Sequence, residues 1–109
     1  MKNSIVLFTA LTICALSVAT AGAKTNKAQN NAALNLIHAL GCKGCHTIRN
    51  DGGSLAPDLT QVGSRLTEKQ IADLLTGHRS ARPDTFMPSY NALSEQEVQL
   101  ISSYLYNLR

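Results

Sequence analysis

The stretch Cys42-Lys43-Gly44-Cys45-His46 decides the fold expected of this chain of 109 residues. Two cysteines separated by two residues, with a histidine directly after the second, form the pattern of c-type haem attachment. Each thiol can form a thioether bond with one haem vinyl group, and the histidine can then bind the iron as its proximal ligand. The stretch therefore predicts one covalent haem c held by Cys42 and Cys45, with His46 as an iron ligand.

Two other uses of a cysteine pair fit this sequence less well. A thioredoxin-like redox pair has the same spacing, but it requires alternating strands and helices, which the sequence does not indicate. A structural zinc site requires four ligands, and the remaining histidines, His38 and His78, have no second paired motif beside them. His38 lies opposite the apolar face of its predicted helix. Both histidines are expected to face solvent.

The first 23 residues are similar to a secretion signal. Lys2 provides the positive charge, residues 5–18 the apolar run, and residues 19–23 a small-residue cleavage site. We therefore expect a signal peptide over residues 1–23, one domain over residues 24–109, and export to the periplasm or an equivalent compartment. The alternative is an uncleaved membrane anchor that leaves the domain facing the periplasm, because residues 3–23 carry no charge and could span a bilayer.

The composition agrees with a small domain built around a prosthetic group. Aromatic residues make up 5% of the chain and tryptophan is absent, so a haem would supply apolar bulk that a small core otherwise lacks. The formal net charge is only +3, without the concentrated basic face of a nucleic-acid-binding protein. We expect no nucleic-acid partner.

Helical spacing of apolar residues predicts a first helix from about Lys27 to Leu40, which Gly41 ends before the cysteine motif. After His46, residues 50–53 are of types that favour a turn. They are expected to form a surface loop without a chemical role. No strand of ordinary length is predicted.

Capping boxes predict where the second and third helices begin. They start after Thr67 and Ser94, where Thr or Ser is followed three residues later by Gln or Glu. Gly77 is expected to end the second helix. The third helix has an apolar stripe suited to pack on another helix, and Ala32 and Ala33 in the first helix would permit close approach.

The irregular segment between these two helices contains the methionine expected to complete the iron site. Met87 is the only methionine after the predicted signal peptide, and it lies between Pro83 and Pro88. A thioether ligand would complete six-coordinate iron and raise its potential. Met87 is therefore the predicted distal ligand, and His78 is its rival.

Pro57 cannot donate a backbone hydrogen bond, but its carbonyl oxygen, or that of a neighbouring residue, can accept one. A metal-bound histidine usually donates its second N–H to such a group, which orients the ring and raises its basicity. The alternative is that Pro57 only makes a rigid turn.

The order of these motifs resembles class I cytochrome c. C-x-x-C-H, A-P-D-L, V-G-S-R-L-T, M-P-S-Y and L-S-x-x-E follow one another between about Ala28 and Arg109. The resemblance implies an all-α cytochrome c fold over residues 24–109, with three main helices and with the N- and C-terminal helices crossed around one covalent haem.

By position, the resemblance also implies roles for four residues. His46 would be the proximal ligand and Met87 the distal ligand. Pro57 would supply the carbonyl that orients His46, and Arg65 would lie near a haem propionate. The alternative for Arg65 is an ordinary surface arginine.

These ligands imply electron transfer rather than enzyme chemistry, because two axial ligands leave the iron no position for a substrate. The expected protein is a monomer that carries single electrons between redox protein partners. Two alternatives remain: a haem-based sensor of small ligands, if Met87 is displaced, or a resident electron-transfer subunit of a membrane oxidase or dehydrogenase complex.

Overall fold

A computed structural model describes residues 25–109, so the predicted signal peptide and anchor alternative lie outside the described residues. Three helices account for most of the ordered structure: α1 (Lys27–Ala39), α2 (Glu68–Ala81) and α3 (Glu95–Tyr106). The minor elements are two 3-10 turns, Cys42–Gly44 and Val62–Ser64, and two short antiparallel strands, β1 (Thr47–Ile48) and β2 (Asp51–Gly52). The predicted all-α fold is confirmed. Within residues 25–109, no helix combines the length and apolar character needed to cross a membrane.

Each of the three helices begins at a capping box. At Thr67 and Ser94, the side chain accepts a hydrogen bond from the backbone three residues later, and that later side chain accepts one in return. Both were predicted. A third capping box joins Asn26 and Gln29 at the start of α1. Its spacing is visible in the sequence, because Asn and Gln can replace Ser and Glu in the same reciprocal arrangement.

α2 continues past Gly77, so the prediction that this glycine ends the helix is wrong. Gly77 does not have a positive φ, and the helix extends to Ala81 with Arg82 as its C-terminal cap. Arg82 precedes Pro83, and the residue before a proline is sterically disfavoured in the helical region. The proline therefore sets the end of α2, and His78 lies in the last turns of the helix instead of in a loop.

α3 packs against both α1 and α2 and so organises the core. Ala33 on α1 is completely buried, in agreement with the close approach predicted for this position. Ile48 of β1 is also buried, which fixes the segment after the cysteine motif to the helices. The buried hydrophobic residues are Ala33, Ile37, Ile48, Val62, Ile71, Leu75, Ile101, Tyr104, Leu105 and Leu108.

Candidate haem site

The two cysteines lie on a tight turn directly after α1. Gly41 leads into it with φ of 72°, a left-handed conformation that glycine adopts without steric cost. The chain then forms the 3-10 turn, after which the N–H of His46 donates to the carbonyl oxygen of Cys42 at 2.9 Å. Cys42 and Cys45 both have free thiols. Cys42 is partly buried, and burial raises the pKa of its thiol, whereas Cys45 is exposed.

A short hairpin follows the motif. β1 pairs with β2 so that Thr47 lies opposite Gly52 and Ile48 opposite Asp51. The two residues at the turn, Arg49 and Asn50, have φ of 51° and 64°, and positive φ at both positions is typical of the type I′ turn that favours two-residue hairpins. The hairpin folds residues 51–53 back over the motif.

Gly52 and Gly53 lie directly against the backbone of the motif. A Cβ atom at Gly52 would lie 2.1 Å from the carbonyl oxygen of His46, and one at Gly53 would lie 2.4 Å from that of Gly44. The N–H of Gly53 also donates to the carbonyl oxygen of Lys43 at 2.9 Å. The turn-forming cluster, expected to be a loop of no consequence, therefore holds the motif backbone in place.

An ion pair adds a side-chain link across the same contact. Lys43 Nζ lies 2.7 Å from Asp51 Oδ2, and the lysine side chain is only 21% exposed. The hydrogen bond and the positive charge from Lys43 lower the pKa of the Asp51 carboxyl. Lys43, one of the two residues between the cysteines, is thus paired within the hairpin.

The imidazole of His46 is oriented by the loop that follows the hairpin. Its Nδ1 lies 2.7 Å from the carbonyl oxygen of Pro57, and the N–H of Ala56 donates to the carbonyl oxygen of Cys45 at 3.0 Å. A carbonyl oxygen can only accept, so Nδ1 carries a proton, and in the neutral ring Nε2 then keeps its lone pair. His46 therefore has the tautomer required of a metal ligand that binds through Nε2.

Arg65 lies beside the same loop. Its guanidinium donates to the carbonyl oxygen of Asp58 at 2.8 Å, and the side chain is exposed. Asp58 follows Pro57 directly, so Arg65 braces the segment that orients His46. The contact between Arg65 and a haem propionate stays a prediction.

Met87 lies in the irregular segment between α2 and α3, where it is partly buried against the core. Its backbone N–H donates to the hydroxyl of Thr85 at 3.2 Å. After it in the chain, the hydroxyl of Ser89 and the N–H of Tyr90 each donate to a carbonyl oxygen of α2 at 2.9 Å. The segment therefore lies along the C-terminal half of α2.

His78 is partly buried, so the expectation that it faces solvent is wrong. Its Nε2 lies 3.1 Å from Thr85 Oγ1, and its Nδ1 is buried without a hydrogen-bond partner among the described residues. Burial lowers the pKa of the imidazole, and the charge of Arg82 lowers it further. No local pattern of residues indicates this contact, because it depends on the extension of α2 beyond Gly77. His38, by contrast, is exposed as expected.

These residues fit a covalently held haem. Neither Cys42 nor Cys45 forms a disulfide, so both thiols can form thioether bonds. The hydrogen bond to Pro57 leaves Nε2 of the His46 imidazole for the iron. The thioether of Met87 is partly buried, and sulfur is a softer ligand that suits iron in a low-dielectric site. The structure brings His46 and Pro57 together, and it places Arg65 beside the loop of Pro57 and Met87 on a separate segment.

Comparison with known proteins identifies the family. The family model described as Cytochrome c matches residues 32–109, which include the cysteine motif, both loops and most of the three helices. No match is found among curated proteins or among solved structures. The resemblance seen in the motifs is confirmed, and the chain belongs to the cytochrome c family, whose members are haem-based electron-transfer proteins.

Proposed function

We propose that this protein is an exported monohaem cytochrome c that carries single electrons between redox protein partners, with His46 and Met87 as the axial ligands of the iron. The observation that carries the proposal is the hydrogen bond of 2.7 Å between His46 Nδ1 and the carbonyl oxygen of Pro57. Such a bond fixes the tautomer and ring orientation of a metal-ligating histidine and raises its basicity. The family match over residues 32–109 supports the same conclusion.

Each side chain of the site has a distinct part in this function. Cys42 and Cys45 would hold the haem through thioether bonds, so that it would be retained in both oxidation states. His46 and Met87 would bind the iron, and Met87 would keep exchangeable ligands away. When bound, the haem supplies one-electron oxidation and reduction at its iron. Arg65 would hold a propionate through its exposed guanidinium.

A sulfur ligand and an apolar environment both favour the reduced iron, so we expect a positive midpoint potential. Single electrons would be exchanged between the bound haem and each redox protein partner. We expect the protein to be monomeric, because single-electron exchange needs only a brief encounter with each partner. A strongly negative midpoint potential in a redox titration would contradict the His46 and Met87 ligand set.

We also propose that residues 1–23 direct the chain to the periplasm and are then removed. The positive charge of Lys2, the apolar run over residues 5–18 and the small residues at 19–23 support this proposal. Covalent attachment also takes place outside the cytoplasm in the bacterial systems that the motif resembles. Sequencing the N-terminus of the purified protein tests this directly. A mature protein that begins near Lys24 is expected, whereas an intact N-terminus in the membrane fraction would favour an anchored subunit.

The central test combines intact mass with absorption spectra of the purified protein. We expect the mass of the polypeptide plus one haem that survives denaturation, and a far-red band from iron–methionine coordination in the oxidised form. Met87→Ala should lose this band and bind carbon monoxide readily when reduced. Phe86→Leu, which changes the exposed neighbour, is the matched control and should retain the band.

Two results would overturn the proposal. A colourless protein with only the mass of its polypeptide would exclude the haem. Rapid binding of carbon monoxide by the unmodified protein, at the rate found for Met87→Ala, would show that Met87 does not close the site and would favour the sensor of small ligands.

A further inference from the structure

The segment that carries Met87 is attached to α2 on both sides of the methionine, but by different kinds of contact. After Met87, Ser89 and Tyr90 donate to backbone carbonyl oxygens of α2, those of Thr76 and Leu75, both at 2.9 Å. Before Met87, the hydrogen bond to α2 joins two side chains, His78 and Thr85, at 3.1 Å. Just before the methionine, this side-chain contact therefore adds to one backbone bond at the end of α2, from the Thr85 N–H to the carbonyl oxygen of Arg82 at 3.1 Å.

The hydroxyl of Thr85 stands between the imidazole and the methionine. Its oxygen accepts the backbone N–H of Met87 at 3.2 Å, which leaves its own O–H to donate. His78 Nε2 lies within hydrogen-bond distance of the same oxygen, and a neutral imidazole has one nitrogen that accepts. The hydrogen bonds thus form a chain from the Met87 N–H through Thr85 Oγ1 to Nε2. When His78 is neutral with its proton on Nδ1, Thr85 is the donor to Nε2 and each bond polarises the next.

The burial of His78 keeps this chain intact. The ring lies in the last turns of α2, partly buried, with Nδ1 shielded from solvent. Burial and the charge of Arg82 lower the pKa of the imidazole. A neutral ring is the form that can accept the Thr85 proton at Nε2, because the charged ring has only donors.

We infer that His78 is a positioning residue for the distal ligand: through the Thr85 hydroxyl it fixes the backbone of Met87 and so keeps the thioether at the iron. The inference rests on the proposed function, in which Met87 binds the iron. His78 does not touch the iron itself. Its loss leaves the Thr85 hydroxyl free to rotate and weakens the hold on the Met87 N–H, so the thioether leaves the iron more often.

The rate at which Met87 leaves the iron can be measured directly on the oxidised holoprotein. Imidazole or cyanide added in excess binds only after the thioether has left, so the limiting rate reports that step. His78→Leu and Thr85→Val each remove one partner and keep the bulk of the side chain. We expect each to raise the limiting rate roughly fivefold to tenfold, the effect of one ordinary hydrogen bond.

The double variant and a rescue variant separate positioning from general loosening. If the two side chains act through one another, the double variant should show the rate of either single variant rather than the product of the two effects. His78→Gln, whose side-chain amide can reach the place of Nε2, should restore a rate near that of the unmodified protein. His38→Leu, at the exposed histidine of α1, should change nothing.

Rates that multiply in the double variant, or an unchanged rate in either single variant, would overturn the inference while leaving the proposed function intact. If the unmodified protein lacks the far-red iron–methionine band, Met87 is not the ligand, and both the proposed function and the inference fail. The absorption spectra and the kinetics of imidazole or cyanide binding therefore distinguish the two failures.

Discussion

The two segments that carry the predicted iron ligands are built in different ways. The histidine segment, residues 41–59, is held by backbone contacts: the hairpin, two glycines packed on the motif, and a loop whose carbonyl meets His46. The methionine segment, residues 82–93, has no regular structure. Two side-chain hydrogen bonds, at Thr85 and Ser89, and the backbone N–H of Tyr90 join it to α2. The histidine segment also has side-chain contacts, such as the Lys43–Asp51 ion pair, but close backbone packing at its glycines distinguishes it.

This difference indicates which of the two predicted iron ligands should be displaced from the iron more easily. A backbone held by several short contacts moves only if all of them break together, so the histidine segment should respond to substitution as a unit. Side-chain hydrogen bonds contribute about 1 kcal/mol each and can break singly. We therefore expect the histidine to stay fixed under conditions in which the methionine is exchanged.

The largest effect is expected from adding a single methyl group to the histidine segment. Gly52 has φ of 121°, and a Cβ there would lie 2.1 Å from the carbonyl oxygen of His46. Gly52→Ala should lower the free energy of unfolding by about 3 kcal/mol or more, through backbone strain combined with overpacking. Denaturant unfolding of the holoprotein measures the loss, and the yield of covalent haem should fall with it.

Gly77→Ala is the matched control for that substitution. No described atom lies within 4 Å of a Cβ at Gly77, and the residue is inside α2, so alanine should stabilise the protein by about 0.5–1 kcal/mol. Equal destabilisation by both alanines would contradict the claim that contact with the motif backbone distinguishes Gly52.

Ser89→Ala should act on the methionine segment alone. It removes the hydrogen bond of 2.9 Å from the hydroxyl to the carbonyl oxygen of Thr76, at a cost of about 1 kcal/mol. We expect the far-red iron–methionine band to disappear at a lower denaturant concentration than in the unmodified protein, while the haem and its histidine ligand are retained. Simultaneous loss of both ligands in a single transition would show that the two segments are not independent.

Tyr90→Phe tests the one side-chain hydrogen bond by which Tyr90 joins the methionine segment to the end of α1. The phenol donates to the carbonyl oxygen of Leu40 at 3.3 Å, a long bond, so its removal should cost about 0.5 kcal/mol. The side chain is otherwise kept, and its packing against the core should hold. Thermal unfolding followed by circular dichroism is sensitive enough to detect the change, and a loss as large as that of Gly52→Ala would contradict this ranking.

The smallest effect is expected at the Lys43–Asp51 pair, and it should depend on pH. The hydrogen bond from Lys43 lowers the pKa of Asp51 from its ordinary value of 3.8, so the unfolded chain binds this proton first as the pH falls. The stabilising contribution is present above that value and is lost as the pH falls through the lower pKa of the folded state. Asp51→Asn should thus differ from the unmodified protein at pH 7, and the difference should disappear in acid.

High salt provides the control for that prediction. The aspartate is exposed, so added salt should screen the pair and reduce the difference at pH 7. A difference between the two proteins that grows as the pH falls would have the wrong sign for this ion pair.

The sequence predicts the local parts of this fold well. The capping boxes at Thr67 and Ser94 and the apolar face of α1 depend on residues three or four positions apart, and those predictions are confirmed. The capping box at Asn26 has the same spacing with a less common pair of residues. The prediction of an all-α cytochrome c fold is confirmed by the helices and by the family match.

What sequence reasoning missed depends on contacts between distant segments. The end of α2 was assigned to Gly77 because glycine often ends helices, yet this glycine has helical geometry and Pro83 sets the limit. The burial of His78 follows from that longer helix. Gly52 and Gly53 have the composition of an ordinary turn, and only the folded hairpin shows that they press on the backbone of the cysteine motif.

The turn between the cysteines also contains a position suited to attaching the protein to an electrode. Gly44 is exposed and has no positive φ, and no described atom lies within 4 Å of where its Cβ would be. Its neighbours Cys42 and Cys45 are the predicted points of attachment for the redox centre. A non-natural residue at position 44 that carries a group for chemical coupling could therefore attach the protein to an electrode beside Cys45, one of the predicted thioether positions.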